Sequence, residues 1–315
     1  MTVSQEYFLM VAKSLNITKT AKDLYISQQS LSYHISQLEK QYNARLFDRK
    51  PSLRLTQAGL ELLTSLEQLA KMERDIYKRI QDCNEKISGE LIVGIHPSRF
   101  NLIAPLVCSE FQAQAPETYV KFIPGKTVQF EQQLLRGEID VFIGINPNAH
   151  QDIIIEELLH ETAYVVIPSR LWAQKYGPNA ERKRLHVEQE GVLFEEISDF
   201  PFVDCLESSS QLQTYIENYA KSKGIRWNHV LTCSDPFAYV VLENHLNMAA
   251  IFPRGHTLLM KKLNIMRSEE DQLLFFPIRN FGWNDTLSIV YRRESYLSRV
   301  LLLFLDLIRD AFGNI

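Results

Sequence analysis

Two groups of residues have types and spacing suited to chemistry. The first is Ser27, Gln28, Gln29, Ser32 and Tyr33, followed by the basic Arg49, Lys50 and Arg54. Glutamine can contact adenine N6 and N7 bidentately, and serine can donate to or accept from several base edges. Arginine and lysine neutralise phosphates and set register without reading sequence. The second group is two loops, His96-Pro97-Ser98-Arg99 and Gly125-Lys126-Thr127, each behind a strand pattern and ahead of a helix pattern. Free backbone N–H groups and the positive end of a helix dipole suit an anion at such a junction. Taken singly, all of these residues also fit solvated polar positions or loop caps.

Catalytic patterns find no support. Gly89 and Gly94 mimic the start of a phosphate loop, but Ile95 stands where lysine is required. No two glycines are closer than five positions, so a dinucleotide fingerprint is absent, as are GxSxG and HExxH. Cys83, Cys108, Cys205 and Cys233 are widely scattered, and the eight histidines do not cluster. The expectation is no enzyme, no cofactor, no metal and a reduced cytoplasmic setting. No 18-residue apolar run or signal-peptide pattern appears, so no membrane partner is expected.

The elements needed to position the first group are legible. Phe8, Val11 and Ala12 recur at helical spacing over residues 2–14, and a short helix fits Thr18–Leu24. Tyr25-Ile26-Ser27 reads as a tight turn, with Ser27 the N-cap of a third helix running to about Tyr42. Leu31, Ile35, Leu38 and Tyr42 form its buried stripe, which leaves the Gln28 face outward. Leu46-Phe47, Pro51 and Leu53-Arg54-Leu55 suggest a small β wing. Two helices joined by a short turn and followed by a basic hairpin make a winged helix-turn-helix. Residues 1–60 carry a net +4 and the remainder −8, within an overall −4. That basic head on an acidic body restores the nucleic-acid reading that the net charge opposes.

Leu62, Leu66, Leu69, Glu73, Ile76, Ile80, Cys83 and Ile87 alternate steps of four and three. Such a seam predicts one long helix of roughly 30 residues that dimerises through Leu62, Leu66, Leu69, Ile76 and Ile80. Packing against its own domain is the alternative. From Ser88 onward strands and helices alternate: Leu91–Ile95, Tyr119–Ile123, Asp140–Ile145, Ile153–Leu158, Ala163–Ile167, Pro201–Asp204, Val230–Thr232, Met248–Phe252, Leu273–Pro277 and Leu287–Tyr291 read as strands. Leu102–Gln114, Phe130–Arg136, Ser209–Ser222, Phe237–Glu243 and Ser295–Ala311 read as helices. The order predicts an open mixed α/β sheet with ligands beyond the strand ends.

The run Phe8, Val11, Thr18, Ala21, Leu24, Ser27-Gln28, Leu31-Ser32, Ile35, Leu38-Glu39, Leu46-Phe47, Arg49, Leu55-Thr56 and Ala58-Gly59 resembles the LysR-type transcriptional regulators. The resemblance continues more weakly through Gly89 to Gly94, Phe111 to Pro116, Leu135 to Asp140 and Met248 to Pro253. Gln29, Asn43 and Thr20 depart from the family's usual residues, and the Lys-rich stretch 170–190 with Trp172 looks unlike its usual short loop. The resemblance implies a multidomain chain: a winged helix-turn-helix over 1–58, a linker helix over 59–87, and a periplasmic-binding-protein-like effector domain over 88–315. That domain would have two subdomains, 88–163 with 267–315, and 164–266. The implied partners are double-stranded promoter DNA, a second copy of the chain as dimer and tetramer, RNA polymerase, and a small anionic effector. The effector would sit in the cleft on Ser98, Arg99 and Thr127, with Asn146 and Cys205 nearby. A solute-binding protein and an α/β enzyme with an accessory helical domain are the competing classes.

Overall fold

The computed structural model describes residues 1–205, 211–233 and 247–313. The expected helix Phe237–Glu243 lies outside them. The N-terminal helices are α1 (Val3–Ser14), α2 (Ile17–Asp23) and α3 (Gln28–Gln41), each opened by a capping side chain: Thr2, Asn16 and Ser27. Phe8, Val11, Ala21, Leu31, Ile35 and Leu38 close around one core, as the apolar spacing requires. Antiparallel β1 (Phe47–Asp48) and β2 (Arg54–Leu55) form the wing.

Several motif residues have local structural reasons. Glu39 Oε1 accepts from the N–H groups of Leu46 (2.9 Å) and Phe47 (3.4 Å), which ties the end of α3 to the wing. Thr56 accepts from Gly59 N–H at 3.0 Å and donates to Arg45 C=O at 2.6 Å. A Cβ on Gly59 would fall 2.1 Å from the Leu46 carbonyl oxygen, so only glycine lets the next helix start there. Asn43 sits at φ 49°, the left-handed region where asparagine is the best substitute for glycine.

Helix α4 spans Gln57–Gln81 and stops at Asp82, short of the predicted extent. Its 25 residues are about 37 Å long. Cys83 lies beyond its end, and Ile87 packs on the C-terminal core, so the last two seam positions are not helical. The seam also splits by environment. Leu66 is buried and Leu62 half-buried in the N-terminal core. Leu69, Met72, Ile76 and Ile80 are exposed. Leu66 therefore serves its own chain's core, contrary to the expected intersubunit role, while Leu62 packs against that core and stays partly open.

The C-terminal part is built on a seven-stranded sheet in the order β10-β6-β11-β5-β3-β4, with β9 also on β6. Here β3 is Ser88–Ile95, β4 Glu117–Pro124, β5 Val141–Ile145, β6 Ile153–Pro168, β9 Ala250–Pro253, β10 Leu273–Pro277 and β11 Asn284–Arg292. A separate parallel pair is β7 (Phe202–Cys205) and β8 (His229–Cys233). The two predicted strands at 153–158 and 163–167 are one 16-residue strand, β6. Its first part pairs with β11 and its last part with β9 and β10. Helices α5 (Pro97–Gln114), α6 (Thr127–Leu135) and α12 (Arg299–Gly313) accompany the first group. Helices α7 (Ser169–Tyr176), α8 (Ala180–Glu190), α9 (Phe194–Ile197), α10 (Gln211–Lys223) and α11 (Arg254–Leu263) accompany the second. The atypical 170–190 stretch is thus helical, with Trp172 in the core and its Nε1 donating to Ala180 C=O at 2.9 Å. Each group encloses apolar cores of its own, one on each face of its strands, and the two groups are bridged by β6 and by the return between β10 and β11. Strand β10 belongs with the second core, so the return comes after Pro277 rather than at the expected 267.

Candidate functional site

Residues at the start of α3 face outward. Ser27, Gln28, Gln29 and Tyr33 are exposed and Ser32 is half-exposed. The Ser27 hydroxyl accepts from Ser30 N–H at 3.1 Å, so its first task is to cap the helix. Gln28 Oε1 accepts from the Thr18 hydroxyl at 3.3 Å, which holds the amide group at the outer end of α2. Arg49, Lys50 and Arg54 are exposed on the wing. Sequence reasoning missed Tyr25. It is 97% exposed, at φ 55°, in the turn ahead of α3. An aromatic side chain left wholly in water beside a polar helix start is a contact candidate that only its exposure reveals.

A cavity of about 440 Å³ opens between the two halves of the C-terminal part. It is bordered by the starts of α5, α6, α10, α11 and β11 and by the end of β5. Ser98, Arg99, Thr127 and Asn146 all line it. Residue Cys205 ends β7 in register with Cys233 of β8, and its side chain lies outside the described residues.

Each lining residue is held by its own partners. Ser98 Oγ lies 2.8 Å from His96 Nδ1, and Thr127 Oγ1 accepts from Ile145 N–H at 3.1 Å. Asn146, at φ 45°, accepts from Thr286 N–H at 2.8 Å and donates to Asp285 Oδ1 at 2.7 Å. Arg99 is buried, and its Nη1 donates to Oε1 of the fully buried Glu161 at 2.5 Å. The other Glu161 oxygen accepts from Gly255 N–H at 2.7 Å, so this one carboxylate caps α11 and neutralises Arg99. Arg99 therefore borders the cavity, as expected of an effector contact, with its Nη1 already paired to Glu161. A Cβ on Gly255 would sit 2.9 Å from Glu161 Oε1, so glycine permits the approach.

Arg99 and His96 lie near His256, which is buried; burial first, then these two charges, holds its pKa well below 6.5 and keeps it neutral. Burial pushes the Asp285 carboxyl up, and the Asn146 hydrogen bond opposes that. Sequence reasoning missed Glu161, His256, Trp283 and Asp285. Glu161 lies on β6, His256 on α11, Asp285 on β11 and Trp283 just ahead of β11, and no sequence motif marks them.

The far end of α6 reaches the linker helix. Lys13 of α1 pairs with Glu138 at 2.5 Å, Glu67 with Arg136 at 3.7 Å, and Arg74 donates to Arg136 C=O at 3.2 Å. Lys78 pairs with Asp140, which also accepts from Ile92 N–H at 2.9 Å. Helix α6 thus touches the cavity at its start, and the 136–140 loop that follows it touches the head and linker. Among the described residues, no helix is long and apolar enough to cross a membrane.

Residues 4–60 match the bacterial regulatory helix-turn-helix proteins of the lysR family, and residues 84–313 match the LysR substrate binding domain. The uncharacterized HTH-type transcriptional regulator YcgK of Bacillus subtilis is 24% identical, covering 97% of this chain and 93% of its own. The Hca operon transcriptional activator HcaR of Escherichia coli is 33% identical over 51% of this chain and 55% of its own. Among solved structures, full-length OxyR C199D from Pseudomonas aeruginosa shares the fold with a TM-score of 0.58 at 17% identity, covering 98% of both chains. Full-length CbnR in complex with its target DNA does so with a TM-score of 0.55 at 19% identity, again over 98% of both. With both halves of the chain matched, and with a winged helix-turn-helix joined through a long helix to a two-part α/β sensor, the chain belongs to the LysR family of transcriptional regulators.

Proposed function

We propose that this LysR-type regulator is a cytoplasmic, non-catalytic protein that binds promoter DNA as a dimer, with dimers associating into tetramers. It changes RNA polymerase access when a small metabolite with an anionic group occupies the 440 Å³ cleft. The reading divides the chain near residues 58 and 87. The exposed start of α3 beside the basic wing carries it. Gln28, Gln29, Ser32 and Tyr33 read bases in the major groove, while Ser27, Arg49, Lys50 and Arg54 hold phosphates. Two such heads must sit about 34 Å apart to meet successive half-sites. The exposed stripe Leu69, Met72, Ile76 and Ile80 is suited to joining the two linker helices. Thr127, Ser98 and Asn146 face the effector. Binding shifts the population between two arrangements of the sensor, and α6 passes the change through the Arg136–Asp140 loop to α4.

The test compares the full-length protein with Gln28→Ala on the DNA upstream of its own gene and on scrambled DNA at matched salt. The substitution should weaken binding to the upstream fragment by roughly tenfold or more and leave scrambled DNA unchanged. Equal losses on both would remove Gln28 from base reading.

A further inference from the structure

The cleft offers one open positive end and one open negative group. The starts of α5 and α11 are already answered: Ser98 N–H meets His96 Nδ1 at 3.3 Å, and Gly255 N–H meets Glu161. At α6, the N–H groups of Thr127 and Val128 meet no acceptor among the described residues, and Lys126 stands beside them. Helix starts left this way attract an anionic oxygen.

Asp285 is the counterpart. Its residue is 8% exposed and lines the cleft. Oδ1 accepts from Asn146, and Oδ2 receives no donor among the described residues. That second oxygen is not shut away from the cleft, so a cation or donor that enters can pair with it. The two poles are close. Thr127 Oγ1 takes the Ile145 N–H, and the next residue, Asn146, donates to Asp285, so both lie on one wall.

Charge separates the classes of ligand. Arg99 and Glu161 cancel. Lys126 and Asp285 remain, one of each sign. A dicarboxylate would set its second charge against Asp285. A simple monocarboxylate would bring no donor to Asp285 Oδ2. The wall also carries an apolar patch of Phe130, Leu212 and Trp283, beside the uncharged polar groups of Ser98, Asn148 and Gln211.

We propose that the effector is a zwitterion of the α-amino-acid type, with its carboxylate at the start of α6, its ammonium group on Asp285 and an apolar side chain against Trp283. This rests on the reading of the cavity as the effector cleft. The experiment is calorimetric titration of the full-length protein with each of the twenty L-amino acids. Any ligand found is then compared with the same molecule lacking the amino group, 4-methylpentanoate for leucine or 3-phenylpropanoate for phenylalanine. The same pair is measured on Asp285→Asn and Thr127→Val. At least one apolar amino acid should bind. Its des-amino partner should be weaker by about thirtyfold or more. The ratio between the two should collapse toward one in Asp285→Asn, and both should weaken in Thr127→Val. The ratio does not depend on the folded fraction, so partial misfolding cannot mimic the result. Tighter binding of the des-amino acid overturns the amino-acid class and leaves the cleft intact as the effector site. Absence of binding by all twenty also overturns the class. A bound amino acid indifferent to both substitutions lies elsewhere and overturns the cleft reading as well.

Discussion

Replacing Ile76 and Ile80 by alanine should break the dimer and spare the fold. Their side chains are 54% and 61% exposed in the single chain, one and two turns past Met72 on an open face of α4. Each substitution removes three carbons, about 2.4 kcal/mol at about 0.8 kcal/mol per buried CH₂. Scaled to the exposed part, that is about 1.4 kcal/mol per side chain. Four such side chains meet in a dimer, so the loss is about 5–6 kcal/mol, or about ten-thousandfold in the dimer Kd. If a partner covers only half of that surface, about a hundredfold remains. Monomer stability should move by no more than about 0.5 kcal/mol. Leu66→Ala is the contrasting perturbation. It lies on the same heptad seam but is 3% exposed, in the core with Phe8 and Val11. It should cost about 2–5 kcal/mol of stability through the cavity it leaves. Sedimentation velocity over a dilution series reads the dimer, and thermal unfolding reads the fold. A double isoleucine variant whose dimer Kd stays within about threefold of the parent would refute the assignment. So would a Leu66→Ala variant that loses dimer without losing stability.

Removing the Arg99 side chain in Arg99→Ala strands the fully buried Glu161 carboxylate, and thermal shift should report about 3–5 kcal/mol of lost stability; a loss under about 1 kcal/mol would show that the pair is not closed off from solvent. His256 is held neutral when folded, so the unfolded chain binds the extra proton and stability falls as pH drops below 6.5. The slope approaches about 1.4 kcal/mol per pH unit for one proton. His256→Gln should flatten the difference between midpoints at pH 7 and pH 5, and unchanged slopes would contradict the buried neutral state.

The N-terminal module was legible because its information is local. Caps, apolar steps of three and four, and the turn ahead of Ser27 each lie within a few residues of what they build. The seam of α4 was half legible. Periodicity shows that Leu66 and Ile80 share a stripe but not that one faces its own head and the other faces out. The cleft is legible where strands end, at Ser98, Arg99, Thr127 and Asn146. His256 and Asp285 reach the same cavity, and Glu161 holds Arg99 there, from parts of the chain that sheet pairing and the start of α11 bring together, and they carry no sequence pattern. Arg99 looked like a free cation because its neutralising carboxylate lies 62 positions away. The continuous β6 reads as two strands because the polar run His160-Glu161-Thr162 interrupts its apolar residues where its middle passes from one core to the other.

Selection of bound sites from random duplex DNA by the full-length protein tests the central claim most directly. The account predicts an enriched inverted repeat, with half-sites about one helical turn apart, whose base preference changes when Gln28 or Ser32 is replaced by alanine. Enrichment of no sequence, or of one identical site by the parent and both variants, would contradict it.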